Sequence, residues 1–240
     1  GWLTGTIPAD LENFILNASI PDPPRLIARM VDKKLKAEGI TISNEPSTYR
    51  MEQRTESGDM VQIAETISPP LSDIIEVLNH ESVNLYAEHL IKELGKRFSR
   101  NGSTSAGVTI VKDFLKNSGI RTDGIFIEDG SGLSPVNSIN ARELVNMLSY
   151  MKSRGKYFPE YLQSLPDAGI EGTLKNYFRD PVFSSRLKAK SGSMTRVRSY
   201  AGYFKTISGK EIIFTVIVNN YLGPSINIIN GIEGIIKEII

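Results

Sequence analysis

A chain of 240 residues, 40% hydrophobic and 23% charged, can bury a substantial core as one large domain or two small ones, which excludes a disordered chain. Its 28 basic and 27 acidic residues leave a net charge of +1, so no global field recruits nucleic acid or an anionic membrane, and neither is expected as a partner. The absence of cysteine excludes disulfides, thiolate catalysis and thiolate zinc sites. His80 and His89, the only imidazoles, read as ordinary surface or core residues, so neither a metal nor a cofactor is expected. No apolar run reaches the roughly 18 residues that span a bilayer, and no charged start followed by an apolar core marks a signal peptide.

In chain order, the stretch from Trp2 to Ile20 has short apolar runs, broken by Pro8 and followed by Pro21, Pro23 and Pro24, the pattern of strand and loop. From Arg25 to Glu38, Leu26, Ile27, Met30, Val31 and Leu35 recur at helical spacing, and Gly39 supplies the stop. Ile40 and Ile42 are expected to begin a strand. Residues 43–60 are polar and poorly periodic, a surface loop or a weak hairpin turning at Ser57, Gly58 and Asp59. Pro69 and Pro70 open a helix with Leu71, Ile74, Ile75 and Leu78 on one face, which breaks near Asn79 to Glu81. A second helix follows at once, striped by Val83, Ala87, Leu90, Ile91 and Leu94, with Ser82 at the N-cap and Gly95 as terminator. Ser82 and Asn84 therefore sit at a helix-to-helix junction, where the local pattern makes Ser82 a cap.

A further helix is expected from Ser105 to Lys116, closed by Gly119, then a short strand from Ile125 to Ile127. Asp129 to Ser134, DGSGLS, matches neither a Walker loop nor a dinucleotide fingerprint and reads as a tight turn that lines a cleft. Asn140 with Glu143 three residues on starts a helix in a capping-box-like way, and its methionines, Met147 and Met151, are core filler. After Tyr157, prolines 159, 166 and 181 and glycines 169 and 172 mark a long irregular segment with a short helix from Thr173 to Phe178; such segments often line sites. Val197 to Thr206, a turn at Ser208 and Gly209, and Ile212 to Asn219 form an antiparallel hairpin. Eight isoleucines between Ser225 and Ile240, without a basic polar face, give a helix packed on the sheet and not a membrane-surface helix.

The stretch that organises the rest is Lys190, Ser191, Gly192, Ser193. A glycine among small hydroxyl residues lets a flat strand lie close to a ligand while the ammonium and hydroxyls point into a cleft, an arrangement suited to a carboxylate.

With its neighbours, this stretch carries a resemblance. ESVNLYAEHLIKELG (81–95), EDGSGLSPVNSINARELVNML (128–148), LPDAGIEGTLKNYF (165–178) and KAKSGSMTRVRSYAGYFKTISGKEIIF (188–214) run in order and in register with the C-terminal part of the D-alanyl-D-alanine carboxypeptidase/endopeptidase family, the low-molecular-mass class C penicillin-binding proteins. Ser-x-Asn occurs four times, at Ser82, Ser99, Ser138 and Ser225, and only the surrounding SVNLYAEHL picks out Ser82 and Asn84. The resemblance implies an α/β fold of the β-lactamase/transpeptidase type, an antiparallel sheet with helices on both faces, incomplete because its N-terminal part is missing. Residues 1–45 resemble a connecting segment from inserted domains, and 46–240 the C-terminal part of the transpeptidase-like domain.

The same resemblance implies a serine-type peptidase that works through an acyl-enzyme on peptidoglycan stem peptides ending in D-Ala-D-Ala, in the periplasm or outside the cell, and that binds β-lactams. Ser82, Asn84 and Lys190 would be catalytic; Ser191, Gly192 and Ser193 would bind substrate. The family's Ser-x-x-Lys nucleophile belongs well before Ser-x-Asn, yet here that motif occurs only at Ser149/Lys152, Ser153/Lys156 and Ser185/Lys188, all downstream. These are read as chance matches, and the chain as a fragment of a longer secreted precursor that needs its N-terminal portion as a partner. A non-catalytic peptidoglycan- or β-lactam-binding module stays open, as does the choice between carboxypeptidase and endopeptidase. Without the family's first strand, Ile212 to Asn219 would be an exposed apolar edge, and dimerisation, strand swapping or aggregation is expected there.

Overall fold

The structure is a computed structural model describing residues 6, 15, 20–52, 62 and 64–240. The expected strand and loop from Trp2 to Ile20 and the turn at Ser57 to Asp59 lie almost wholly outside those residues. The chain divides into two units, Gly1–Thr66 and Ile67–Ile240.

In the first unit, α1 (Pro23–Ala37) opens on Asp22, whose carboxylate accepts from the Arg25 amide at 3.2 Å, with prolines in the first turn where no amide is needed. Gly39 closes it at a φ of +81°. The strand expected at Ile40 and Ile42 does not form. Ile40 N–H is used instead to close the helix, donating to Leu35 O at 3.0 Å, and the chain runs on without pairing to a short α2 (Tyr49–Glu52).

The second unit holds α3 (Leu71–Glu81), α4 (Asn84–Ser99), α5 (Thr104–Asn117), α6 (Ala141–Arg154), α7 (Phe158–Ser164), β1 (Leu187–Met194), β2 (Val197–Lys205), β3 (Glu211–Asn219) and α8 (Ser225–Ile239). The strands form an antiparallel sheet in the order β1-β2-β3, in a register that sets Ser193 opposite Arg198 and Ser191 opposite Tyr200. Alternation along each strand sends side chains to two faces. On one, Leu187, Ala189, Tyr200, Phe204 and Phe214 pack with Phe178, Phe183 and the α8 residues Ile232 and Ile236. Ile229, Ile232 and Ile236 are buried, and each such side chain contributes about 1.5–3 kcal/mol. On the other, Tyr203 packs with Leu148 and Leu165 and donates to Leu148 O at 2.8 Å, which ties α6 to the sheet. Helices therefore cover both faces, as expected.

Three local readings are corrected. Gly95 does not end α4, which runs to Ser99 and closes on Arg100 at a φ of +59°. It is there for close approach, since a Cβ at Gly95 would lie 2.5 Å from Asn101 O and 2.9 Å from Gly107 N, at the crossing with α5. Ser82 is not the N-cap of α4; Val83 holds that place, and Ser82 terminates α3 in the left-handed conformation at a φ of +53°. The helix expected from Thr173 to Phe178 is one 3-10 turn, Gly172–Leu174, because Phe178 turns left-handed at +54° and its amide donates to Glu233 Oε1 at 2.6 Å.

Candidate active site

Lys190 lies in the middle of β1 and is half-buried. Its Nζ donates to Ser82 Oγ and to Ser191 O, each at 2.8 Å, and burial lowers its pKa from 10.5 to about 8. Ser82 reaches it because the left-handed residue reverses the chain between α3 and α4. An L-residue pays roughly 1–2 kcal/mol for that conformation, the kind of strain that accumulates at functional sites. Asn79, three residues earlier and buried, fixes the end of α3 by donating to Ser164 Oγ at 2.8 Å. Asn84 begins α4 and is exposed to the cleft.

These groups face a cavity of about 850 Å³ whose walls include Ser82, Asn84, Lys190, Ser191, Gly192 and Ser193, so the structure brings together all six residues singled out from sequence. A Cβ at Gly192 would lie 2.5 Å from Ser199 Oγ, so the strand is narrow where it crosses the cleft. The DGSGLS turn forms another wall through Gly130 to Leu133. Asp129 organises it, accepting from Gly132 N and Ser134 N at 2.6 Å and from Asn137 Nδ2 at 2.8 Å. Glu88 of α4 anchors it by accepting from Ser131 N at 2.9 Å, and hydrogen bonding from Ser131 lowers the pKa of that carboxyl.

Sequence reasoning did not single out Thr173, Tyr177 or Arg198 as site residues, yet they also line the cavity. Ser191 Oγ donates to Thr173 Oγ1 at 2.8 Å. Thr173 is delivered by Gly172, where a Cβ would stand 2.5 Å from His80 O at a φ of +52°, a close approach that only glycine permits. The signal available in the sequence was the irregular stretch of prolines and glycines around them.

The three downstream Ser-x-x-Lys matches do not line this cavity. Ser153 Oγ donates to Ser149 O at 2.8 Å, Lys152 pairs with Glu211 at 2.7 Å, and Lys188 pairs with Asp167 at 2.8 Å, all ordinary structural contacts. Among the described residues no group of three acidic or imidazole side chains could hold a metal ion. A second, more apolar cavity of about 460 Å³ lies on the Lys190 side of β1, between Phe114, Leu144, Met147, Leu148, Tyr161 and Leu165, and shares Lys190, Ser191, Gly192 and Ser199 with the first.

An antiparallel sheet covered by helices, with a Lys-Ser-Gly-Ser strand on the rim of a cleft, places the fold among the penicillin-binding proteins and β-lactamases. It superposes on penicillin binding protein 4 from Haemophilus influenzae with a TM-score of 0.76 at 22% identity, over 89% of this chain and 48% of that one. The same protein complexed with a novel β-lactam gives 0.79 at 22% identity, over 93% and 53%. A class A β-lactamase from Bacteroides cellulosilyticus gives 0.55 at 18% identity, over 69% and 61%. A sequence model of the D-Ala-D-Ala carboxypeptidase 3 (S13) family matches residues 2–237, and the chain belongs to that family. Among its relatives, the D-alanyl-D-alanine carboxypeptidase of Actinomadura sp. (strain R39) is 28% identical over 228 residues, 93% of this chain and 42% of that protein. A D-alanyl-D-alanine carboxypeptidase of Haemophilus influenzae is 25% identical over 221 residues, 90% of this chain and 45% of that protein. The chain thus spans less than half the length of these relatives.

Proposed function

We propose that this chain forms the Ser-x-Asn and Lys-Ser-Gly walls of a serine-type D-Ala-D-Ala carboxypeptidase or endopeptidase that trims peptidoglycan stem peptides in the periplasm or outside the cell, and that binds β-lactams. The observation that carries the reading is the 2.8 Å contact between Lys190 Nζ and Ser82 Oγ at the edge of a cleft that also holds Asn84, Ser191 and Ser193. An acyl transfer to serine needs a proton delivered to the leaving amine. Ser82 gives its hydroxyl proton to that nitrogen as it takes one from the Lys190 ammonium, which burial makes a readier donor than an ordinary lysine. Asn84 binds the substrate amide. Ser191 and Ser193 hold the carboxylate on the leaving side, and the Ser193 amide serves the oxyanion, a role worth about 3 kcal/mol in such sites.

The attacking serine and its lysine base come from residues outside this chain. Two observations support this: the Ser-x-x-Lys matches lie away from the cleft, and the apolar cavity beside Lys190 has the size and lining to take apolar side chains of another segment. Intact mass after exposure to a penicillin tests it, on this chain alone and combined with the N-terminal portion of a longer relative precursor. Label in the combined sample only is expected. Label on this chain alone, mapped to one of its own serines, would move the nucleophile inside these residues. No label in either sample would favour the alternative, a non-catalytic peptidoglycan- or β-lactam-binding protein that retains Asn84, Ser191 and Ser193 for recognition.

A further inference from the structure

Arg198 lies on β2 directly opposite Ser193 of β1. Residues opposed in an antiparallel pair project to the same face with Cβ atoms about 4.5–5.5 Å apart, and Ser191, two residues along, shares that face. Arg198, Ser191, Ser193, Thr173 and Tyr177 all line the same cavity, and the guanidinium carbon stands 5.9 Å from the centre of the Tyr177 ring. That cavity is lined by two cations, Lys190 and Arg198, and by no carboxylate.

The two cations are differently engaged. Lys190 projects to the opposite face of β1 and is committed to Ser82 and Ser191 O. Arg198 makes no ion pair or side-chain hydrogen bond among the described residues, and its Nε is buried without a partner. Glu233, the nearby carboxylate, accepts from the Phe178 amide at 2.6 Å and makes no ion pair with Arg198, and burial holds the Tyr200 phenol neutral, with a pKa pushed up to about 12. A planar guanidinium with an unpartnered donor, on the strand face that also carries Ser191 and Ser193, is suited to a carboxylate through paired charge-assisted hydrogen bonds.

We infer that Arg198 is the cation that binds the carboxylate on the leaving side of the scissile bond, together with Ser191 and Ser193, and so selects peptides that carry a free carboxylate there. This rests on the proposed peptidase reading and adds to it a specificity-determining residue. An extended β-lactam carboxylate takes the same position.

The test is ligand-observed NMR with an acetylated peptide ending in D-Ala-D-Ala and with its C-terminal amide, on the wild-type chain, Arg198→Gln and Arg198→Lys, each combined with the N-terminal portion of a longer relative. The wild type binds the acid roughly tenfold or more tighter than the amide, the scale of a charge-assisted contact. R198Q loses that preference while still binding the amide, which shows that its cleft is intact, and R198K keeps part of it. An acid-to-amide ratio unchanged in R198Q overturns the inference and leaves the peptidase reading standing. Failure of the wild type to bind either peptide overturns both.

Discussion

Lys190 is held where burial opposes its charge. Its pKa falls from 10.5 to about 8 because the strand and the helices behind it desolvate the ammonium. Below pH 8 both folded and unfolded chains keep that proton, and the desolvation cost is fully present. Between about pH 8 and 10.5 the folded chain has released the proton and the unfolded chain has not, so the cost is relieved and stability rises with pH. Lys190→Met is therefore expected to stabilise the protein at pH 7, on the order of 1–3 kcal/mol, with the advantage over wild type shrinking from pH 8 upward. Urea denaturation across that range measures it; a destabilised K190M at pH 7 would show that the hydrogen bonds to Ser82 and Ser191 outweigh desolvation. The same titration governs ligands, since an anion in the cleft favours the protonated lysine, so anionic ligands are expected to bind more weakly as pH passes about 8.

At the scale of elements, two glycines let α4 and α5 cross in contact. A methyl on Gly107 would fall 1.8 Å from Ile91 O, a backbone atom that no side-chain rotation moves aside. Gly107→Ala is expected to cost about 1–3 kcal/mol, read as a lower denaturation midpoint; an unchanged midpoint would show that the crossing can open freely. This crossing also shows what the sequence could and could not convey. Period and punctuation made α1, α3, α5, α6, α8 and the hairpin legible, because Gly39, Gly119 and the Ser208-Gly209 turn really are stops. Gly95 has the same appearance but serves packing, and only the neighbour across the crossing distinguishes the two. The seven residues of α7 were too short for a clear period, and Pro159, read as a breaker, sits in the first turn where it is tolerated. Ser82 was legible as a site residue through its flanking motif, whereas its left-handed conformation depends on how α3 meets α4. Arg198 was invisible as a site residue, since alternation along β2 gives two faces and only the register opposite Ser193 says that Arg198 shares the face of the two serines.

At the scale of the whole molecule, the sheet and the cleft meet at β1, and the opposite edge is β3, which among the described residues pairs on one side only, with β2. Ile212, Ile213, Val216, Ile217 and Val218 make that edge apolar and β-branched, the composition that pairs with a further strand. The chain by itself is expected to self-associate, seen as a concentration-dependent mass in light scattering; a strict monomer at high concentration would contradict this. The most direct measurement concerns Ser82, because proton delivery by the Ser82-Lys190 pair is what the proposed peptidase activity depends on. D-alanine release from an acetylated peptide ending in D-Ala-D-Ala would be followed with this chain combined with its N-terminal portion, wild type against Ser82→Ala. The expected result is a kcat about 100-fold lower or more, with KM little changed. A Ser82→Ala protein that keeps the wild-type kcat would contradict it.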